Sequence, residues 1–158
     1  MRLTIATALL LAIGATTALA QQPTATPAAS PPKLQWGPAP AVFPPGARMA
    51  VLQGNPAGTA LFTVRLRLPD GYEFPPHTHP TDEHVTVISG TFRVGMGTSV
   101  ESNKMMTLRP GGFVTAPANH AHYAVAKGVT VVQVSAMGPF ALTYVNPADA
   151  PRTATSKR

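Results

Sequence analysis

The chain has 158 residues, of which 44% are hydrophobic and only 11% charged, with a formal charge of +6 at pH 7 and no cysteine. That length suffices for one domain with a real core, and the missing cysteine excludes disulfides, thiolate zinc sites, haem attachment through thiols and thiol nucleophiles. The basic residues are scattered singly, without a Lys/Arg run or an aromatic–basic stripe, so the charge reads as solubility and weak steering rather than nucleic-acid binding.

Residues 1–20 read as an export signal. Arg2 supplies the positive start, "LTIATALLLAIGA" the apolar run, and Ala18-Leu19-Ala20 a small-x-small cleavage site. The run is short for a bilayer span and no stop-transfer segment follows, so no membrane association is expected after cleavage. The mature chain is expected to begin at Gln21, periplasmic or secreted. Residues 21–45 form a Pro-rich linker or arm, holding eight of the 18 prolines. Its first part cannot bury a core. In "WGPAPAVFPPGA" the chain is expected to lie extended over the domain, anchored by Trp36.

Residues 46–146 read as strands. "TALFTVRLRL" alternates, with Phe62, Val64, Leu66 and Leu68 on one side and Thr63, Arg65 and Arg67 on the other, which is the pattern of a half-buried strand. "EHVTVIS" and "TFRVGMG" predict a hairpin across Ser89-Gly90. "GFVTA", "HYAVA", "VTVVQVSAM" and "FALTYV" continue the series, separated by turn signals that include Lys127-Gly128. No stretch shows a helical face of ten residues or more. The expected class is all-β, a sandwich or barrel. Residues 147–158 are a polar C-terminal tail expected to fray.

The histidines carry the chemistry. His77, His79 and His84 fall within eight residues, beside Glu83, while His120 and His122 form a second pair. On a strand, His77 and His79 share a face. Pro80-Thr81-Asp82 then turns the chain, and Glu83 opens the next strand. Two imidazoles and a carboxylate can thus converge, and His122 can join them if the sheet curls. Nitrogen and oxygen donors without sulfur suit Mn, Fe, Co, Ni, Cu or Zn. By alternation His84 points away from the interior, and His120 lies in the turn before His122.

At these residues the chain resembles the cupin superfamily. Its first motif, Gly-x5-His-x-His-x3-Glu-x6-Gly, is matched by Gly71, His77, His79, Glu83 and Gly90. The second, Gly-x5-Pro-x-Gly-x2-His-x3-Asn, is matched by Gly111, Pro117 and His122, with Asn119 in place of Gly and Ala126 in place of Asn. The resemblance implies a cupin-type jelly-roll β-barrel in which His77, His79, Glu83 and His122 bind one divalent transition metal, manganese or iron above zinc, nickel, copper or cobalt. Asn tolerates the left-handed turn that the motif glycine serves, and the motif asparagine is not a ligand in the family. "PPHTHP" is similar to the germin branch, which is extracellular and binds manganese. Cupins also form dimers through edge strands, which implies a homodimer.

The pocket reads as mostly apolar, with Val85, Val87, Ala124 and Ala126 inward by alternation and Phe62, Val64 and Leu66 as another wall. The facing of Gln133 and Ser135 is open, because their strand is apolar on both sides. Tyr72, Glu73 and Tyr123 are near the site in sequence, either at its mouth or simply on the surface. No inward Asp, Lys or Arg joins the ligands, which disfavours a sugar-phosphate substrate. Three functions follow: a mononuclear metal oxygenase or oxidoreductase acting on a small apolar molecule, with Glu83 doubling as proton acceptor; a non-catalytic module binding metal or a small ligand; and manganese superoxide or oxalate chemistry of the germin kind.

Overall fold

The computed structural model describes residues 33–151. The expected export signal, the linker through residue 32 and the tail from residue 152 lie outside the described residues.

Strands β1 (Gly37–Pro38) and β2 (Arg48–Gln53) lead into β3 (Leu61–Leu68), and β4 (Glu73–Thr78) leads into the long β5 (Glu83–Met96). Short strands β6 (Met106–Leu108) and β7 (Phe113–Ala116) precede the longest, β8 (His122–Met137), and β9 (Thr143–Tyr144) closes the series. Two 3-10 turns, at Ser102–Lys104 and Pro147–Asp149, are the only helical pieces among the described residues. The all-β expectation therefore holds.

β3 follows its predicted alternation. Phe62, Val64, Leu66 and Leu68 are buried, while the residues between them face outward. Val85 and Val87 of β5, Phe92 and Val94 further along it, and Val132 and Val134 of β8 meet them in one core.

Neither predicted turn at Ser89-Gly90 or Lys127-Gly128 reverses the chain. β5 runs unbroken for 14 residues and β8 for 16. Gly90 and Gly128 instead take left-handed φ values of 80° and 69°, bending their strands without ending them. The two bends face each other, with Ser89 opposite Val131 and Thr91 opposite Lys127, and the β5–β8 register shifts there. At the bend, β8 changes its second partner from β4, before Gly128, to β3, after it. Each long strand thereby serves two walls, and the sheet curls into a barrel. Thr130, fully buried at this corner, accepts from the Thr91 amide at 3.2 Å and donates to the Thr91 carbonyl at 3.1 Å.

The described part of the arm lies against its own barrel. Trp36 is only half-buried, and its carbonyl accepts from Arg48 at 2.7 Å. The anchor is Phe43 instead, 4% exposed and packed edge-on against Phe74 and Phe140, with ring centroids 5.7 and 5.5 Å away. An aromatic ring surrounded by rings outweighs one at the rim of the sheet.

Candidate metal centre

"PPHTHP" builds the site through its prolines. Tyr72 and Phe74 point inward, so strict alternation would turn His77 outward. The β4–β8 register shifts between Phe74 and His77, and this bulge at Pro75-Pro76 re-aims the strand. His77 then pairs with His122 of β8, and His79, one residue beyond β4, also points inward. Asn119 takes the left-handed turn expected of it, with φ 59°, and its amide donates to the His79 carbonyl at 2.7 Å. The two histidine clusters are thereby held together.

Three imidazoles converge inside the barrel. His77, His79 and His122 are buried, and one ring nitrogen of each lies within 4.8 Å of the others. Each Nδ1 faces a backbone carbonyl: Pro75 at 2.7 Å for His77, Ala141 at 2.6 Å for His79, and His120 at 3.1 Å for His122. A carbonyl only accepts, so each Nδ1 carries the proton and each Nε2 presents a lone pair. The Nε2 atoms of His79 and His122 are buried without a hydrogen-bond partner. Glu83 closes the fourth side, its Oε2 3.6 Å from Nε2 of His79 and 3.5 Å from Nε2 of His122.

Buried lone pairs facing a carboxylate, with no donor between them, are costly unless a cation joins them. The triad is therefore a site that can hold a metal ion. Its three nitrogens are within reach of one ion bound at about 2.0–2.1 Å from each.

Electrostatics agree. Burial, with the neighbouring His122, pushes the His77 imidazole down to about 3, so it stays neutral and able to ligate. Burial would raise the Glu83 carboxyl, but the imidazoles of His122, His79 and His77 outweigh it and hold the group below the usual carboxylate range.

A pH dependence follows. His77 is neutral in the folded state down to about 3 but ordinary, near 6.5, when unfolded. The unfolded chain thus binds the extra proton, and the stability that neutral His77 provides above 6.5 is lost as pH falls toward 3. Metal-free protein is expected to lose about 2 kcal/mol between pH 7 and 5. Glu83 adds to the loss below its ordinary value. Urea unfolding across this range checks it, and His77→Gln should flatten the slope.

Other sequence candidates fall elsewhere. His84 faces outward, its Nδ1 3.1 Å from Thr115 Oγ1 and its ring stacked on Phe113. His120 is exposed and contributes only its carbonyl. Gln133 and Ser135 also face outward, bonded to Arg65 and Thr63. The cavity beside the imidazoles is about 30 Å3. Val85, Ala124 and Leu66 line it, as expected, whereas Val87, Ala126, Phe62 and Val64 pack in the core away from it. Ala126, standing where the motif has Asn, therefore does not alter the cavity wall. Tyr72 and Tyr123 are not at a mouth. Tyr72 is buried and donates to the Pro44 carbonyl, while Tyr123 packs on the other face of β8, its hydroxyl accepting from the Glu101 amide at 2.9 Å. Glu73 is exposed. Sequence reading missed Phe43 and Leu142, which line the cavity from loops. Phe43 was marked only as a large apolar residue among prolines and small residues, and Leu142 by nothing beyond its apolar run.

Comparison with known proteins agrees with the geometry. The family model of the cupin domain matches residues 64–137. No curated protein matches the chain. Among solved structures, the polyketide cyclase RemF of Streptomyces resistomycificus is 15% identical, covers 75% of this chain and 84% of its own, and superposes with a TM-score of 0.61. A putative acetylacetone dioxygenase of Methylibium petroleiphilum is 24% identical over 76% of this chain and 81% of its own, with a TM-score of 0.58. The DMSP lyase DddQ of Ruegeria pomeroyi is 21% identical over 72% and 62%, with a TM-score of 0.57. At such identities the likeness is one of fold, and the fold hosts several chemistries. With the match over residues 64–137, the jelly-roll barrel and the buried histidines, the described residues form an all-β barrel similar to a cupin domain.

Proposed function

We propose that this is an exported metal cupin in which His77, His79, Glu83 and His122 hold one manganese or iron ion, and that it acts as a metal-dependent oxidoreductase on a small, largely apolar molecule. The observation that carries the reading is the pair of orphaned Nε2 atoms aimed at one point beside a buried carboxylate. Four protein donors leave coordination positions free, and an ion so held supplies Lewis-acid or redox chemistry. The chain's own part is positional. Three Nδ1–H bonds fix the imidazoles. Apolar walls exclude water. Glu83 is the only carboxylate lining the cavity among the described residues, so a proton given up by a molecule bound there passes to Glu83 when its carboxylate loosens from the metal.

The test is oxygen uptake by protein loaded with iron(II) or manganese(II), against a panel of small apolar and aromatic compounds. Substrate-dependent uptake that falls at least about 100-fold in Glu83→Gln supports the reading. No uptake with any compound, from protein holding its full complement of metal, favours a non-catalytic binding module. The small cavity and the lack of a second acid–base group favour that second reading. Export is tested by the N-terminus of the isolated protein, expected at Gln21. The homodimer is tested by light scattering, where a monomer mass would reject it.

A further inference from the structure

The walls of the metal cavity come from strands β3, β4, β5, β7 and β8, and apart from the ligand His79 two of the described residues close it from loops: Phe43 of the arm and Leu142. Phe43 sits at the centre of this closure. Its ring meets Phe74, which in turn lies 5.8 Å from the His77 ring, and Phe140, which stacks on the His79 ring at 5.7 Å. With Phe43 in place the cavity measures about 30 Å3. That is room for about two water-sized molecules. An organic substrate does not fit.

The arm that carries Phe43 is held by its apolar side chains and by few backbone bonds, among them the Ala39 amide to the Ala47 carbonyl at 3.1 Å. Among the described residues its strand β1 has two residues. Prolines 40, 44 and 45 offer no amide donors. Around Phe43 two tyrosine hydroxyls do the fastening: Tyr144 donates to the Val42 carbonyl at 2.8 Å, and Tyr72 to the Pro44 carbonyl. The two bonds grip the residues immediately before and after Phe43. A carbonyl only accepts, so each phenol is the donor of its bond. Both tyrosines flank β4, the strand of His77, and Tyr144 pairs directly with His77.

We propose that Phe43 sets the size of the molecule that reaches the three imidazoles, and that residues 39–46 form a latched gate which must lift for anything larger than about two water-sized groups to enter. This rests on the metal-site reading only for what lies behind the gate. The occupant class it assigns to the closed state is a molecule of two or three heavy atoms, and a larger apolar substrate enters only with the arm released.

The test uses metal-free full-length protein with benzene as probe. Phe43→Ala is expected to bind benzene saturably, seen as a rise in Tm and as shifts of the cavity-lining valine methyls, because removing the ring opens space against the valine and leucine walls that a small apolar ring can fill. Wild type is expected to show neither. Wild type that binds benzene as well as the variant, or a folded variant that binds none, overturns the proposal. Should Phe43→Ala not fold, the double variant Tyr72→Phe, Tyr144→Phe keeps every ring and removes only the latch. Its Phe43 amide, which donates to the Pro40 carbonyl, is expected to exchange at least about tenfold faster than in wild type, with benzene admitted. Unchanged exchange and continued exclusion overturn the latch. Cobalt(II) uptake by wild type is measured separately, so a failed metal site is distinguished from a failed gate.

Discussion

Replacing His122 by alanine is expected to empty the metal site while leaving the barrel folded. His122 supplies one of three converging imidazoles and is the sole ligand candidate from β8. Its loss leaves His77 and His79 from one strand end with Glu83, an incomplete set. Loss of an outer hydrogen-bond partner alone costs about 10–100-fold in affinity, so loss of a ligand is expected to exceed about 100-fold. Folding should survive because the imidazole adds little to the core. It leaves an orphaned Nε2 in the metal-free protein, and the variant removes that cost. The double signature is metal content by mass spectrometry, falling to below about a tenth of wild type, and a Tm no longer raised by added metal. At 100 times Kd, metal binding stabilises wild type by about 2.7 kcal/mol, and the variant should lose that increment.

Gly90→Ala is expected to be strongly damaging although it lies away from the site. A Cβ there would fall 2.5 Å from Thr130 Oγ1, 2.6 Å from the Val129 carbonyl and 2.7 Å from Thr130 Cα. Two of those atoms are backbone or bound to it, and Thr130 is buried with its hydroxyl committed to the Thr91 backbone. Neither side can yield cheaply. Left-handed φ adds about 1–2 kcal/mol for a residue with a side chain, and overpacking adds about 1–3 kcal/mol. Gly128→Ala is the matched control: its φ of 69° is similar, but a Cβ would meet nothing within 4 Å. We expect losses of about 3 kcal/mol or more at Gly90 against about 1 kcal/mol at Gly128 in chemical unfolding. Equal losses would mean that conformation alone, and not the packed corner, makes glycine necessary there.

Much of this molecule is legible in its sequence, for identifiable reasons. The alternation of β3 reports its burial because one face is wet. His77, His79 and His122 stand where spacing and resemblance place them, and Asn119 adopts the turn its side chain tolerates. The long bent strands are not legible. Gly90 and Gly128 carry the chemistry of a turn, and only the pairing of β5 with β8 decides that each bends rather than reverses. The bulge at Pro75-Pro76 is equally hidden, since strict alternation through it assigns Phe74 and His77 to opposite faces. Gln133 and Ser135 gave no signal because valines flank them on both faces of the pattern. They are settled by their partners Arg65 and Thr63 on β3. Tyr72 and Phe43 escaped for another reason: the Tyr72 hydroxyl fastens the chain beside Phe43 through the carbonyl of Pro44, 28 positions away, and no local pattern records it.

The measurement that bears most directly on the central claim is the metal content of the protein, isolated without chelators. The account predicts close to one manganese or iron ion per chain, bound by the imidazoles whose Nε2 atoms otherwise lie buried and unpartnered. Folded protein that arrives metal-free and takes up none of manganese, iron, cobalt, nickel, copper or zinc on addition would contradict it.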